Sequence, residues 1–129
     1  MESQLFALEE AINLNLGLLS NNTMTLKFKN TMEEKLEILI RHENVLKPFF
    51  ILSGGEKKRV KLAVTFGVSD FIETPIKWRI GDEIDNDLDS IGIEKIKELL
   101  VTKQDVYQQF LFATLRHDMA DIANQVIEL

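Results

Sequence analysis

The chain has 129 residues, enough for one domain of the usual size, and its 45% apolar and 28% charged residues argue against intrinsic disorder. Fifteen Lys and Arg against 21 Asp and Glu give a net charge of −6, which argues against a self-sufficient basic clamp for nucleic acid. The absence of cysteine excludes disulfides, thiolate metal sites and cysteine nucleophiles. No apolar run reaches the roughly 18 residues that a membrane span needs, and the amino terminus lacks the layout of a signal peptide. We therefore expect a soluble, cytoplasmic protein with no membrane partner.

The first 52 residues predict a helix followed by antiparallel strands. Between Leu5 and Leu19, leucine and isoleucine recur at steps of three and four, which is the period of a helix over residues 1–20. In residues 21–52, the segments 23–30 and 35–41 alternate apolar and polar side chains, as strands with one wet face do. Residues 49–51 are a candidate third strand. This part therefore predicts a helix and a strand meander.

Residues 53–129 predict alternating helices and strands. The apolar positions favour helices over 53–71 and 90–103, and strands over 76–80 and 106–115. A short helix after residue 118 and a last strand over 126–129 complete the pattern. Strands that alternate with helices pair in parallel, so the expected fold class is α/β. We expect 1–129 to form a single lobe.

A glycine pair stands at the predicted start of the first of these helices. Ser53 is a candidate N-cap, and Glu56 follows at the spacing of a capping box. One interpretation is a tight turn before a basic surface helix. The other is a phosphate site, because a helix N-terminus presents unpaired N–H groups, and Gly54 and Gly55 let an anion come close to the backbone. These residues alone leave both interpretations open.

Two further candidate positions follow predicted strands. Asp82 and Glu83 follow the strand predicted over 76–80. They are either part of a solvated acidic loop or a functional pair. In the second case Asp82 holds Mg²⁺ and Glu83 polarises a water. His117 stands where a strand meets a helix, the usual place for ligand groups in α/β sheets. His42 has no such context, and we interpret it as structural.

Taken in chain order, these motifs resemble the C-terminal half of an ABC-type ATPase head. Within that superfamily the chain looks most like the SbcC/SMC group of DNA-repair and chromosome-maintenance ATPases, which includes phage recombination-nuclease subunits. The 29-residue step from Ser53 to Asp82 is similar to the spacing in SbcC-like heads. The matching segments are LSGGE at 52–56 (signature motif), IGDE at 80–83 (end of Walker B), LD at 88–89 (D-loop) and His117 (switch histidine).

The resemblance implies ATP and Mg²⁺ as cofactors and a dimer of two heads. Asp82, Glu83 and His117 would serve the nucleotide of their own head. Ser53 and the amides near Gly54 and Gly55 would reach the γ-phosphate held by the opposite head, with Glu56 in the same motif and Asp89 in the D-loop. The chain departs from the family pattern at Arg79, Gly81, Ile84 and Arg116.

The chain contains no P-loop, because no glycine is followed by lysine. We therefore expect a fragment or split subunit that needs a P-loop N-terminal lobe from the same gene or from a separate chain. The expected function is ATP hydrolysis that drives DNA repair or DNA end processing, with an SbcD-like nuclease as a partner and DNA bound through the assembled complex. The alternative is a non-hydrolysing, SMC-like half-head that binds a partner as a structural or regulatory module.

Overall fold

The computed structural model describes residues 2–33 and 35–129, which form a mixed α/β fold. The chain divides into two compact units, one ending at Glu73 and the other beginning at Thr74. The elements of the first unit are α1 (Glu2–Ser20), β1 (Met24–Asn30), β2 (Leu36–His42), β3 (Val45–Pro48), a 3₁₀ helix (Phe49–Ile51) and α2 (Gly54–Phe71). Those of the second unit are β4 (Trp78–Asp82), α3 (Ser90–Lys103), β5 (Gln109–Ala113) and a 3₁₀ helix (His117–Ile122).

In the first unit, α1 packs against a three-stranded antiparallel sheet of order β1-β2-β3. Polar side chains of α1 bind the free edge of β1. The Asn13 amide donates to the Leu26 carbonyl at 2.9 Å and accepts from the Leu26 N–H at 2.7 Å, and the Glu9 carboxylate accepts from the Phe28 N–H at 2.9 Å. The edge strand therefore has partners for its backbone groups within the chain. The core beneath it consists of Ile12, Leu16, Leu19, Met24, Leu26 and Ile40.

The third strand lies earlier than the sequence pattern predicts. Val45 pairs with His42 across a two-residue hairpin turn, in which Glu43 and Asn44 have φ values of 50° and 63°. Two positive φ angles at the turn are typical of a type I′ hairpin, whose twist suits the flanking strands. Because the strand has already ended at Pro48, residues 49–51 form a 3₁₀ turn, and the prediction of a strand there is wrong.

α1 and α2 approach each other closely at a glycine. A Cβ on Gly67 would lie 2.6 Å from the Ile12 Cα, so only glycine fits without a shift of the helix backbone. Nearby, the buried Asn15 amide donates to the Asp70 carboxylate at 2.9 Å. The buried residues of α2 are Val60, Leu62, Ala63, Phe66 and Gly67.

In the second unit, β4 and β5 form a parallel pair that α3 connects, as the alternating pattern predicts. α3 has the predicted bounds, and its predicted inward residues are buried: Ile93, Ile96, Leu99 and Leu100.

The predicted bounds of both strands in this unit are wrong. The strand predicted at 76–80 lies at Trp78–Asp82, and the one predicted at 106–115 shrinks to Gln109–Ala113, because the amides of Val106 and Tyr107 bond back to the Lys103 carbonyl and form a turn. The sequence of this segment, VYQQFLFATL, suggests a buried strand, but β5 is exposed at alternate positions and that interpretation is wrong.

The predicted strand at 126–129 is absent. A strand needs a hydrogen-bonded neighbour, and within the described residues this exposed segment pairs with none. Among residues 2–33 and 35–129, no helix combines the length and the apolar character that crossing a bilayer would require.

Candidate functional site

The signature-like turn at 53–56 is built around a reciprocal cap of α2. The Ser53 hydroxyl accepts from the Glu56 N–H at 3.3 Å, and the Glu56 carboxylate accepts from the Ser53 N–H at 2.7 Å. The predicted capping box is therefore confirmed. Ser53 is exposed, so its position at the surface leaves the start of α2 accessible.

Glu56 also connects this turn to the antiparallel sheet. Its Oε1 lies 2.7 Å from Nδ1 of His42, which ends β2, and both side chains are largely buried. The contact is an ion pair when the imidazole is protonated, but it lacks the alignment of a hydrogen bond. The Ser53 N–H, the Ser53 hydroxyl and the positive charges of His42 and Lys47 hold the pKa of Glu56 below its ordinary value, against the effect of burial. Glu56 is therefore an anionic cap in neutral solution.

No close contact with the described residues requires glycine at positions 54 and 55. A Cβ on Gly54 or Gly55 would meet no heavy atom within 4 Å, and neither glycine has a positive φ. Alanine would fit both positions as far as this chain is concerned. What glycine provides here is space on the outer side of the helix N-terminus.

The acidic pair lies where β4 ends. Asp82 and Glu83 are both exposed, and the Glu83 N–H donates to the Ala113 carbonyl of β5 at 2.9 Å. Glu83 has a φ of 46°, an uncommon conformation for a residue with a side chain, and its carboxylate accepts from the Asn86 amide at 2.6 Å. The local backbone therefore fixes the direction in which this carboxylate leaves the sheet.

Gly81 and Ile84, two departures from the family pattern, compensate for each other. A Cβ on Gly81 would lie 2.7 Å from Cγ2 of Ile84 and 3.3 Å from the Phe110 ring. Ile84 is buried, so the glycine in β4 makes room for the isoleucine that follows the acidic pair.

Asp85 is buried, although the sequence places it in an acidic run. Only 2% of Asp85 is exposed, and its Oδ2 accepts from the Thr114 hydroxyl at 2.6 Å. Thr114 directly follows β5, so this bond joins the turn after β4 to the loop after β5. Asp89, in contrast, is exposed and caps α3 by accepting from the Gly92 N–H at 2.8 Å.

His117 is exposed and begins the second 3₁₀ helix. Before it, the Arg116 guanidinium makes two hydrogen bonds of 3.1 Å to the Asp118 carboxylate. This bond lowers the pKa of Asp118 and raises that of Arg116. Because β4 and β5 are parallel neighbours, the acidic pair and the loop to His117 both follow the carboxyl ends of the strands, on the same side of the sheet. The remaining predicted residues, Ser53 to Glu56, belong to the first unit.

Known proteins resemble this chain in both sequence and fold. No protein-family model matches it. Structural maintenance of chromosomes protein 4 of Xenopus laevis is 36% identical over 81 residues, which is 63% of this chain and 6% of that protein. A structure reported in work on ATP-driven dimerization and DNA-stimulated activation of SMC ATPases is 26% identical with a TM-score of 0.84, over 98% of this chain and 78% of that one. The chain is a portion of an SMC-family ABC ATPase head domain.

A second head structure, an SMC head bound to the C-terminal winged-helix domain of ScpA, shares the fold with a TM-score of 0.76 at 24% identity. It covers 95% of this chain, and this chain covers 39% of it. The resemblance to the SbcC/SMC group and the expected α/β class are therefore confirmed. This SMC head portion spans only a small part of the SMC4 relatives.

Sequence reasoning missed three residues of the second unit. Asp85 was hidden within the acidic run from 82 to 89, Asn86 carried no motif, and Thr114 lay inside a predicted strand. No sequence signal marks the pair of Asp85 and Thr114, because the burial of Ile84 and the end of β5 at Ala113 are known only from the structure. That the two meet depends on strand register, which composition and periodicity do not give.

Proposed function

We propose that this SMC head portion is one lobe of an ATPase that binds and hydrolyses ATP between two heads. The P-loop lobe lies outside this 129-residue sequence. The SMC ATPase structure that matches 98% of this chain comes from work on ATP-driven dimerization, which supports this assembly. In this assembly the chain is a single lobe that contributes the signature turn at 53–56 to one nucleotide site and the acidic pair, Asp82 and Glu83, to the other.

The open space around Gly54 and Gly55 carries the proposal. A glycine that no contact and no backbone angle of the chain requires is explained by a group that approaches from outside. The first amides of α2 carry partial positive charge, so the group that suits them is an anion. Ser53, Gly54 and Gly55 would receive the γ-phosphate of ATP held by the opposite head, with Glu56 keeping the turn in shape.

Asp82 is suited to hold Mg²⁺ together with other ligands. Its carboxylate is exposed at the end of β4, and the described residues contain no group of three His, Cys, Asp or Glu side chains that could hold a metal by themselves. One carboxylate is enough for Mg²⁺ when phosphate oxygens and waters complete the octahedron. When bound, Mg²⁺ neutralises charge on the phosphates.

Glu83 and His117 take the hydrolytic roles in this proposal. Glu83 orients and deprotonates the attacking water, and its bond to Asn86 fixes the carboxylate that does so. His117 contacts the γ-phosphate from the loop after β5, and Asp89 marks the D-loop at the start of α3. These assignments follow the matched motifs.

An incomplete sheet supports the need for a second lobe. The second unit contains two parallel strands, and apolar side chains on them are exposed, with Ile80 84% exposed beside the exposed Leu111. Parallel sheets are normally covered on both faces and extend beyond two strands. A P-loop lobe would extend this sheet with further strands and cover its exposed face with the elements that pack on it.

The biological process is proposed at the level of the family. An SbcC-like role in DNA repair or DNA end processing, with an SbcD-like nuclease and DNA held by the complex, is one form of the proposal. The SMC4 similarity and the ScpA-bound SMC head favour a second form, a chromosome-maintenance head that binds an ScpA-like partner. Co-purification with a nuclease supports the first form, and co-purification with an ScpA-like protein supports the second.

The substitution Glu83→Gln tests hydrolysis in the assembled head. Glutamine still accepts from the Asn86 amide but is not a base, so the rate of ATP hydrolysis should fall by about 10²-fold or more. The variant should accumulate an ATP-bound dimer, measured by light scattering with the P-loop lobe present. Asp87→Asn is the matched control, because it removes a charge from the same exposed loop, and its φ of 62° suits asparagine.

Wild-type turnover in Glu83→Gln would remove this residue from the mechanism. Absence of turnover in the unmodified assembly, with the partner still bound, would favour the alternative of a non-hydrolysing half-head. Calorimetric titration of ATP into the 129-residue chain alone, and then with the P-loop lobe, separates these cases from a failure to bind nucleotide.

A further inference from the structure

Asp85 is a buried carboxylate that lies between the turn after β4 and the loop after β5. Its Oδ2 accepts from the Thr114 hydroxyl at 2.6 Å, whereas its buried Oδ1 has no hydrogen-bond partner among residues 2–33 and 35–129. A buried carboxylate is costly when a single neutral hydroxyl is its hydrogen-bond donor. An apolar residue of similar volume would pack there without that cost. Besides the Thr114 hydroxyl, the charge of Arg116 acts on Asp85, so the polar contacts of this carboxylate all lead to the loop after β5.

Two hydrogen bonds join the turn after β4 to the end of β5 and the loop after it, and a third holds that loop in shape. Besides the bond between Asp85 and Thr114, the Glu83 N–H donates to the Ala113 carbonyl at 2.9 Å. The Thr114 hydroxyl in turn accepts from the Arg116 N–H at 3.0 Å. Residues 83–85 and 113–116 are thus fixed to each other through both backbone and side chains.

The same bonds restrain Glu83 on both sides. Its amide is held by Ala113, its carbonyl accepts from the Asn86 N–H at 3.1 Å, and Asp85 is anchored to Thr114. The positive φ of Glu83 is strained for a residue with a side chain and persists only where the surroundings impose it. An anchor at the second residue after Glu83 is well placed to impose it.

We infer that Asp85 and Thr114 are a positioning pair that fixes the Glu83 carboxylate relative to the loop carrying His117. The catalytic part of this inference rests on the proposed ATPase function. Neither residue touches the reacting atoms in this role; the pair acts through Glu83 and through the backbone that leads to His117.

The test compares Thr114→Val, which removes the hydroxyl and keeps the shape, with Thr114→Ser, which keeps the hydroxyl. In the 129-residue chain, Thr114→Val should speed hydrogen exchange at the Arg116 and Glu83 amides by about 10-fold or more, and Thr114→Ser should exchange as the wild type does. In the assembled head, Thr114→Val should lower kcat for ATP by about 10-fold with KM unchanged, and Thr114→Ser should restore it.

A double variant separates positioning from folding. Asp85→Leu combined with Thr114→Val replaces both polar partners, so the chain should stay folded while the two amides still exchange fast. Unchanged exchange in Thr114→Val and in the double variant would overturn the positioning pair whatever the function is. Fast exchange with unchanged kcat, in an assembly that Glu83→Gln inactivates, would overturn its catalytic part and leave the proposed function standing. If Glu83→Gln retains wild-type turnover, the proposed function and the catalytic part both fail, and the exchange data still decide the anchor.

Discussion

α2 contains glycines in two contrasting environments. Near its middle, Gly67 faces α1 so closely that a Cβ would lie 2.6 Å from the Ile12 backbone. At its amino end, Gly54 and Gly55 face open space. Packing against α1 therefore explains the glycine at position 67, whereas no contact among the described residues explains the glycines at positions 54 and 55. The contrast teaches that a motif glycine is assigned to folding or to ligand approach by what its missing side chain would meet.

The largest expected effect on stability is that of Gly67→Ala. The added methyl group would overlap the Ile12 backbone, which cannot move aside as the end of a side chain can, so α1 and α2 must separate. We expect the free energy of unfolding to fall by about 1–3 kcal/mol, measured by urea denaturation. Leu14→Ala, at an exposed position of α1, is the control and should have little effect. An unchanged midpoint in Gly67→Ala would contradict the close helix contact.

A smaller effect is expected when the cap of α2 is removed. Ser53→Ala deletes the hydroxyl that accepts from the Glu56 N–H, and loss of such an N-cap costs about 1 kcal/mol. Thermal unfolding of the chain measures it, with Ser3→Ala near the start of α1 as a matched serine control. A midpoint as high as that of the wild type would mean that the turn is held by the Glu56 carboxylate alone.

The same cap makes a pH-dependent contribution. Because the pKa of Glu56 is lower in the folded chain than its ordinary value of 4.5, the ionised carboxylate stabilises the fold above about pH 4.5. That stabilisation is lost as the pH falls through the folded pKa. Glu56→Gln cannot ionise, so its unfolding free energy should depend less on pH than that of the wild type below pH 4.5. Parallel pH profiles for the two proteins would show that the carboxylate charge does not stabilise the turn.

Local sequence signals predicted the elements whose determinants lie close together along the chain. The bounds of α3 and the capping box of α2 follow from helical periodicity and from one serine and one glutamate at the right spacing. The hairpin at Glu43 and Asn44 was missed, because neither residue is the glycine that usually marks such a turn. The strand at 126–129 was wrongly predicted, because an apolar run does not reveal whether a neighbouring strand exists.

The candidate site divides in the same way. Motif order, which needs no structure, predicts Ser53 to Glu56, Asp82, Glu83, Asp89 and His117 as site residues, and their roles stay a prediction. Asp85 and Thr114 are 29 residues apart and meet only because β4 and β5 are parallel neighbours in a particular register. Burial of a carboxylate within an acidic run contradicts the usual tendency of Asp to be exposed, so composition pointed away from it.

The smallest effect on stability, and the sharpest test of the contrast within α2, is expected from Gly54→Ala. The new Cβ meets nothing in the chain, and alanine favours a helix, so stability should stay the same or rise by at most about 1 kcal/mol. In the assembled head, the methyl group would stand where a phosphate of the opposite head approaches, and ATP-dependent dimerization should weaken by about 10-fold. Analytical ultracentrifugation with and without ATP measures this change. Lys61→Ala, at an exposed position of the same helix, should leave dimerization as it is. Wild-type dimerization in Gly54→Ala would mean that the open space at the start of α2 is not occupied by a phosphate, and the glycine pair would lose its functional explanation.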